Sequence, residues 1–342
     1  MTAEIVLAAV VVLLALSFDF TNGFHDAANA IATSVSTRAL TPKAALLMAA
    51  ALNFVGAMLG TAVANTIAHD IVNLDQATET TGSAHVALVI VVAALVGAIT
   101  WNLITWWFGL PSSSTHALIG GLVGAGIAGN IGVFWGHVVD KVIVPMFLSP
   151  LIGFFGAYLV MCGVLWLLRK ASPNKTNRRF RLAQTASAAA LALGHGLQDA
   201  QKTMGVIFMA AYTVGWADKE DGIPPWVKIA AAAAISLGTA AGGGRIMRTL
   251  GRKIIQVDPP RGFVAESVSA IVLYVMAMGM HAPVSTTHTV TTAIMGVGAT
   301  RRLSAVRWGV AKSIVAAWVL TLPAAGVVGF IAYEFLHLVL GL

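Results

Sequence analysis

Long apolar stretches without charge are the feature that most constrains what this chain can fold into. Stretches that approach the ~20 residues needed to cross a bilayer as a helix recur along the sequence. They cover residues 44–68, 86–108, 146–168, 226–241 and 263–280, with Lys228 inside the fourth and Glu266 inside the last. Only 10% of the 342 residues are charged and 58% are hydrophobic, whereas a soluble domain carries about a quarter charged residues. The sequence therefore predicts an all-α integral membrane protein with several spans.

The first residues, 1–16, form a further apolar run. Glu4 stands where a secretory signal would carry basic residues, and no small-residue cleavage site follows the run. We therefore interpret this run as a membrane helix that is retained.

Most of the basic residues lie in short segments between the apolar stretches, at 38–43, 169–181, 245–261 and 301–307. A formal net charge of +7 could indicate nucleic-acid binding. The excess of basic residues in the cytoplasmic loops of membrane proteins explains the pattern without a nucleic-acid partner. With 169–181 in the cytoplasm, the acidic segments 70–79 and 218–221 and both termini are predicted to be external. This scheme leaves Arg301 and Arg302 outside, against the same rule.

Two motifs occur twice in the same order, which indicates a duplicated chain. Asn-Gly-Phe-His-Asp-Ala at 22–27 matches His-Gly-Leu-Gln-Asp-Ala at 195–200, and Pro-Ser-Ser-Ser-Thr-His at 111–116 matches Pro-Val-Ser-Thr-Thr-His at 283–288. The offsets are 173 and 172 residues. We predict two repeats, 1–168 and 182–342, joined by a basic cytoplasmic linker at 169–181.

Each repeat is predicted to contain about five transmembrane helices and one re-entrant hairpin. The hairpins are placed at about 111–130 and at about 283–300. An odd number of crossings inverts the second repeat relative to the first, which is the architecture of many secondary transporters.

A stripe of polar residues follows one face of the first helix. Its members, spaced three or four apart, are Asp19, Asn22, Asp26, Asn29 and Thr33. Ionisable side chains at membrane depth are costly and normally face the interior of a helix bundle, so we predict that the stripe lines a functional site. The alternative is that the two aspartates lie near a water-filled helix end. Recurrence of Asp26 as Asp199 favours the functional interpretation.

In the second copy of this motif, Asn22, Asp26 and Asn29 are replaced by His195, Asp199 and Lys202. Lys202 is one helical turn from Asp199, and it either neutralises that carboxylate or contacts an anion directly. The sequence leaves both interpretations open.

The two proline motifs are typical of helix starts, because a proline is followed by hydroxyl side chains that can cap free backbone N–H groups. A helix N-terminus inside a membrane is an anion site, since its amides and its dipole both point at the ligand. The alternative is ordinary capping and packing of Ser and Thr between helices. Two copies brought together by a pseudo-two-fold axis favour anion binding.

Other polar residues carry weaker signals. Glu266 could bind a cation or a proton, or could lie at a helix mouth. His116 and His288 are expected to brace their hairpins, because no carboxylate or second histidine stands beside them at ligand spacing. Cys162 is the only cysteine in the sequence, so a cysteine-based metal cluster is excluded. No resident metal or cofactor is predicted.

The motifs resemble those of the inorganic phosphate transporter (PiT) family. The family signature Gly-Ala-Asn-Asp-Val-Ala-Asn-Ala corresponds to Gly-Phe-His-Asp-Ala-Ala-Asn-Ala at residues 23–30, and the duplicated motif of proline, Ser/Thr and His also resembles the family's. The resemblance covers essentially the whole chain and is greater with the bacterial low-affinity Gly-Phe-His-Asp type. It implies a phosphate and coupling-ion site that contains Asp26, Asn29, Asp199, Ser113, Ser114, Thr115, Ser285, Thr286 and Thr287.

The repeat and the chemistry of the side chains extend this predicted site. Asn22, Gln198 and Lys202 are added for phosphate. His25 and Glu266 are added, with Asp26 and Asp199, for the coupling ion.

The resulting hypothesis is a symporter that moves inorganic phosphate across the cell membrane by alternating access. Proton coupling is favoured because His25 replaces a signature Asn, and imidazole is a poor sodium ligand that titrates near neutrality. The resemblance to bacterial members also implies protons, with phosphate carried alone or as a metal–phosphate complex. A sodium-coupled symporter is the alternative. A homodimer is compatible with the resemblance.

Other functions are weighed against this one. Sulfate is a tetrahedral oxyanion that the same donors could hold, but phosphate can donate a hydrogen bond to Asp26 or Asp199, and sulfate at neutral pH cannot. A channel is disfavoured by the paired carboxylates and the repeat. A membrane-embedded hydrolase that uses Ser113 or Ser114 with His116 would lack a nucleophile elbow and an obvious third partner.

Overall fold

The computed structural model describes residues 3–74, 76, 84–218 and 220–341. Within these ranges the protein is built from helices, which we number in chain order. They are α1 Ala3–Ser36, α2 Pro42–Met58, α3 Ala62–His69, α4 His85–Phe108, α5 Ser114–Ala128, α6 Trp135–Leu167, α7 Pro173–Thr213, α8 Pro225–Ala241, α9 Gly244–Lys253, α10 Pro259–Gly279, α11 Thr286–Ala299 and α12 Trp308–Leu340. The all-α fold predicted from the sequence is confirmed.

Five helices of the described chain are long and apolar enough to cross a membrane: α1, α4, α6, α10 and α12. Two bent pairs bring the candidate spans to as many as seven; α2 and α3 meet at 70°, and α8 and α9 meet at 57°. Large apolar side chains on the outside of α6 and α12 are exposed, for example Leu159 at 67% and Leu338 at 80%. An apolar surface of this kind suits contact with lipid.

Each hairpin is longer in the structure than the range predicted for it from the sequence. α4 and α5 run antiparallel, with Ala94 against Gly121 and Ile90 against Gly129. They are joined by an extended tip, 110–113, that follows Gly109 at φ +66°. The stretch 111–130 is therefore the tip and second arm of a hairpin whose first arm is α4.

The second hairpin has the same construction, with α10 and α11 as its arms. The guanidinium Nε of Arg261, near the start of α10, donates to the Val297 carbonyl near the end of α11 at 3.1 Å. The chain turns between them near His281, which has φ +53°. The stretch 283–300 is thus only one arm. Length and hydropathy cannot distinguish a first arm such as α4 from a spanning helix.

The segment 169–181, predicted as a linker, is mostly helical. Within this segment only residues 169–172 lie outside helices. Pro173 begins α7, which has 41 residues and ends at Thr213. Proline suits the first helical turn because its missing N–H would have no partner there. The basic residues from Lys175 to Arg181 therefore extend the first helix of the second half.

Arg301 and Arg302 lie beside the basic segment 245–261. The Arg301 guanidinium Nη2 is 2.7 Å from Asp258 Oδ2, and the Arg307 amide donates to the Ile254 carbonyl at 3.0 Å. Both ends of the α10–α11 hairpin thus face one side of the protein. The topology that left Arg301 and Arg302 on the side opposite 245–261 is wrong, because the hairpin returns to the face it left. Part of the predicted external segment 70–79 lies outside the described residues.

The two halves repeat the same order of helices and pack reciprocally. α1 of the first half packs on α8, where a Cβ on Gly23 would lie 2.4 Å from the Ile235 carbonyl oxygen. Its counterpart α7 packs on α2, where a Cβ on Gly196 would lie 2.2 Å from the Asn53 carbonyl oxygen. Glycine permits this close approach of helix backbones in a membrane. The reciprocity supports the predicted two-fold relation between the halves.

The same exchange is seen at the hairpins. α5 packs on α12 of the second half, and a Cβ on Gly124 would lie 2.0 Å from the Gly326 carbonyl oxygen. α11 packs on α6 of the first half, where a Cβ on Gly296 would lie 2.2 Å from the Phe154 carbonyl oxygen. Each hairpin is therefore held by the other half, and both tips are directed to the centre of the molecule beside α1 and α7.

Candidate central anion site

The polar residues of α1 and α7 meet the N-termini of α5 and α11 in one buried cluster, which we call the central site. Its members are Asn22, Asp26, Asn29, Ser114, Asp199, Lys202, Thr286 and Thr287. Each has at most 2% of its surface exposed. The three-to-four spacing of the α1 stripe puts its residues on one face, and the part of that face from Asn22 to Asn29 is turned to the hairpin tips.

Ser113 and Ser285 have a capping role. The Ser113 Oγ accepts from the His116 amide at 3.2 Å, and the Ser285 Oγ accepts from the His288 amide at 3.1 Å. These bonds satisfy one free amide at each helix start and fix the direction in which the helix points. Both residues thus make the capping bonds that the sequence offered as the alternative to anion binding, and their predicted contact with phosphate stays a prediction.

The hydroxyls that follow the caps are placed differently in the two hairpins. Thr115 donates to the Val284 carbonyl at 3.2 Å, which ties one hairpin to the tip of the other. Thr287 stands at the equivalent position of α11 but faces α1, where it accepts a bond from Asn29 Nδ2 at 2.8 Å and lies 3.4 Å from Asp26 Oδ1. Thr287 therefore belongs to the central site and Thr115 to its support.

Asp26 is bonded to its neighbour in the chain. The His25 Nδ1 and Asp26 Oδ1 atoms lie 2.5 Å apart, and both side chains are buried. His25 Nε2 in turn lies 3.2 Å from Thr105 Oγ1 and 3.4 Å from Ser112 Oγ. The ring therefore connects Asp26 to the tip of the first hairpin. Adjacent residues on a helix point in directions about 100° apart, but the His25 and Asp26 side chains still reach each other.

Asp199 has a different set of partners. The Lys202 Nζ lies 2.9 Å from Asp199 Oδ1 and donates to Ser114 Oγ at 3.0 Å. On the other oxygen, Asn22 Nδ2 is at 3.3 Å and Thr286 Oγ1 at 3.5 Å from Asp199 Oδ2. The Asp199 carboxylate thus forms an ion pair with Lys202, and its contact with Asn22 connects the two halves.

His195 also contacts Asp199, although the sequence did not single it out as a site residue. Its Nε2 lies 3.3 Å from Asp199 Oδ2, and its Nδ1 lies 3.2 Å from Asn53 Oδ1. Ligand atoms of Asp26, His195 and Asp199 all lie within 4.8 Å of one another, so the three could hold a metal ion. The repeat is the sequence signal that could have identified His195, because this residue stands at the repeat position of Asn22.

Two predicted residues lie away from the cluster or at its edge. Glu266 is buried in a separate polar group, where it accepts from Thr33 Oγ1 at 2.5 Å, Ser187 Oγ at 2.5 Å and Gln184 Nε2 at 3.0 Å. Its predicted contact with the coupling ion thus has no support from proximity to the two aspartates. Gln198 donates to the Ala282 carbonyl at 3.1 Å and so holds the second hairpin tip.

His116 and His288 lie against each other behind the two caps. Their ring centroids are 4.9 Å apart, and the His288 ring is tilted by 31° against that of Trp318 at 3.9 Å. This position, one turn inside each hairpin helix, fits the bracing role expected from the sequence.

Several buried oxygens of the site have no hydrogen-bond donor among the residues that the structure describes. They are Asp26 Oδ2, Asn22 Oδ1, Asn29 Oδ1 and Gln198 Oε1, together with both carboxylate oxygens of Asp19 on the same stripe. A buried polar atom without a partner costs about 1–3 kcal/mol, and more if it is charged. All of these atoms are acceptors, so the site as built suits a ligand that brings protons or a cation. The hairpin N-termini beside them suit an anion.

A helical membrane protein with broken helices, reciprocal halves and hairpin N-termini around buried carboxylates belongs to the class of transport proteins. Residues 22–329 match the phosphate transporter family. The chain belongs to this family.

Three relatives that match the chain over most of their own length carry the same description. A "probable low-affinity inorganic phosphate transporter" from Mycobacterium leprae (strain TN) is 46% identical, over 100% of this chain and 81% of the relative. Those from Bacillus subtilis (strain 168) and Rhizobium meliloti (strain 1021) are 44% and 47% identical, over 98% and 94% of both chains. The descriptions name a transporter and not an enzyme.

A solved structure shares the fold over almost its whole length. It is titled "The sodium-dependent phosphate transporter", and it is 26% identical to this chain. The TM-score is 0.86, and the match covers 97% of this chain and 99% of that one.

Proposed function

We propose that this chain is a symporter that moves inorganic phosphate across the cell membrane by alternating access, with a proton as the coupling ion. The observation that carries the proposal is the composition of the central site. Two helix N-termini and the Thr286 and Thr287 hydroxyls offer donors to an anion. The carboxylate and amide oxygens beside them that have no donor among the described residues need a proton or a cation. A site of this kind is satisfied when both ligands are present.

The donor pattern also favours phosphate over sulfate. A phosphate anion that retains a proton can donate it to Asp26 Oδ2, which has no donor among the described residues. Sulfate at neutral pH has no proton to give, so its oxygens would face the carboxylate directly. The names of the relatives agree with this preference.

His25 supports a proton as the coupling ion. Its Nδ1 lies 2.5 Å from Asp26 Oδ1, so a proton can be held between the imidazole and the carboxylate. Protonation of this pair would remove the net negative charge of Asp26 while phosphate binds. Return of the proton to solvent on the other side would favour release of the anion.

Sodium coupling is the second candidate, and two observations favour it. The solved structure with the same fold is titled as sodium-dependent, and the unpartnered oxygens of Asp26, Asn22 and Asn29 are ligands that hard cations prefer. The cluster of Asp26, His195 and Asp199 further supports transport of phosphate as a metal–phosphate complex. The homodimer and the external position of both termini stay predictions.

The test is uptake of labelled phosphate into proteoliposomes that contain the purified protein. Accumulation under an inward proton gradient without sodium, with weak competition from sulfate, is the expected result. If accumulation requires sodium, then sodium replaces the proton as the proposed coupling ion. Equal competition by sulfate would remove the argument from the phosphate proton. Single-channel currents in a planar bilayer would contradict alternating access.

A further inference from the structure

We propose that the Lys202 ammonium is a fixed cation. It occupies, beside Asp199, the position that a transported cation occupies beside Asp26. This inference rests on the symport proposal above and concerns its stoichiometry. It follows from the comparison of two equivalent corners of the central site, one in each half.

The two corners share one contact, with the hydroxyl of the first residue of the opposite hairpin helix. In the first, Asn29 Nδ2 donates to the start of α11 in the opposite half, at 2.8 Å from Thr287 Oγ1 and 3.5 Å from Thr286 Oγ1. In the second, Lys202 Nζ donates to the start of α5 in the opposite half, at 3.0 Å from Ser114 Oγ. Asn29 and Lys202 occupy the same repeat position, as do Thr286 and Ser114.

The two corners differ in charge. The Lys202 ammonium lies 2.9 Å from Asp199 Oδ1, so that corner is a neutral ion pair at 1% exposure or less. Asp26 has no lysine or arginine partner among the described ion pairs, and its Oδ2 atom has no donor. A carboxylate buried at 1% exposure needs a compensating positive charge. Its partner His25, with Nδ1 2.5 Å from Asp26 Oδ1, supplies one only when the imidazole carries an added proton. The Asp26 corner therefore needs a mobile proton or cation in each cycle, and the Asp199 corner does not.

The position of the ammonium also argues against a purely structural role. A helix N-terminus carries a partial positive charge and disfavours a cation next to it. Lys202 nevertheless reaches the start of α5, which becomes favourable when an anion lies between the hairpins. One ammonium hydrogen remains after the bonds to Asp199 and Ser114, so the fixed cation can face a bound phosphate.

The test compares the charge moved per phosphate in proteoliposomes. The membrane potential and the pH difference at which net phosphate flux stops give the number of charges and protons that accompany each anion. Lys202→Asn copies the first half, so we expect it to move one more positive charge per phosphate than the native protein. Lys202→Arg keeps the charge and is the matched control, with the native value expected.

Two results would overturn the inference. An unchanged charge per phosphate in Lys202→Asn, together with a raised KM for phosphate, would make Lys202 only an anion ligand. If Lys202→Asn does not transport, the double variant Asp199→Asn/Lys202→Asn tests the inference instead. It removes the carboxylate and the ammonium together, so it leaves the net charge of the site unchanged. We expect the double variant to recover uptake that Asp199→Asn alone loses, with the native charge per phosphate. A double variant as inactive as Asp199→Asn would refute the fixed-cation role.

Failure of the underlying proposal gives a different result. Native protein that takes up no phosphate under any gradient would remove the symport function itself. Native protein that accumulates phosphate, with one charge stoichiometry shared by native and Lys202→Asn, would leave symport standing and refute this inference alone.

Discussion

Replacement of Thr287 by valine tests the link between the second hairpin and phosphate binding. Valine keeps the shape of threonine and removes the hydroxyl, which accepts from Asn29 at 2.8 Å and lies 3.4 Å from Asp26 Oδ1. In the proposed complex this hydroxyl donates to the anion. A hydrogen bond to a charged group contributes about 1.5–3 kcal/mol, and 1.4 kcal/mol corresponds to a factor of ten in affinity. We therefore expect the apparent KM for phosphate to rise between about tenfold and 150-fold.

Thr289→Val is the matched control for this variant. Thr289 lies on the same helix and is equally buried, but its hydroxyl donates to the Ser285 carbonyl of its own helix at 3.0 Å. The assay is the phosphate dependence of initial uptake in proteoliposomes, with thermal unfolding of both variants in detergent as a check on folding. A KM for Thr287→Val within about threefold of the Thr289→Val value would refute phosphate binding by this hydroxyl, since the bond would then be worth less than an ordinary one.

Three further predictions concern the carboxylates, the coupling ion and the packing of the halves. Asp26→Asn and Asp199→Asn should each abolish uptake while the protein stays folded, because the amide keeps the shape and loses the charge; near-native uptake would remove that carboxylate from the mechanism. His25→Asn should lose accumulation driven by a proton gradient in sodium-free vesicles, and unchanged accumulation would show that the ring only packs. Gly124→Ala should lower stability by about 1–3 kcal/mol through overpacking, because its Cβ would lie 2.0 Å from the Gly326 carbonyl oxygen; Gly163→Ala, with open space around it, is the control, and equal unfolding temperatures would contradict the close packing of α5 on α12.

The location of the central site could be predicted from the sequence because two strong regularities define it. The three-to-four spacing of polar residues in α1 allowed only one face to carry them. The recurrence of Asp26 as Asp199 and of the two proline motifs then implied that four segments meet. The structure brings together Asn22, Asp26, Asn29, Asp199 and Lys202 with the hairpin starts, as these regularities indicated.

Contacts between helices were beyond the reach of these patterns. Glu266 lies in a span by sequence, but its neighbours Thr33, Gln184 and Ser187 come from α1 and α7, and no periodicity specifies which helices pack together. The first arm α4 reads as a spanning helix because its length and composition fit one. Equivalent residues also differ in their contacts, as Thr115 and Thr287 do, because the bonds depend on the backbone opposite each hairpin.

The reciprocal contacts of the central site give a physical reason why ligand occupancy can be coupled to movement. Asn29 of α1 bonds to α11, and Lys202 of α7 bonds to α5, so each carboxylate-bearing helix is tied to the hairpin of the opposite half. Displacement of the hairpins relative to α1 and α7 must break both ties together. A ligand shifts a conformational equilibrium only by as much as its contacts differ between the two states. In the proposed complex, phosphate held by both hairpins, with a cation beside Asp26, would make contacts across the same ties. Its binding would then shift the equilibrium of the movement that exposes the site to the other side.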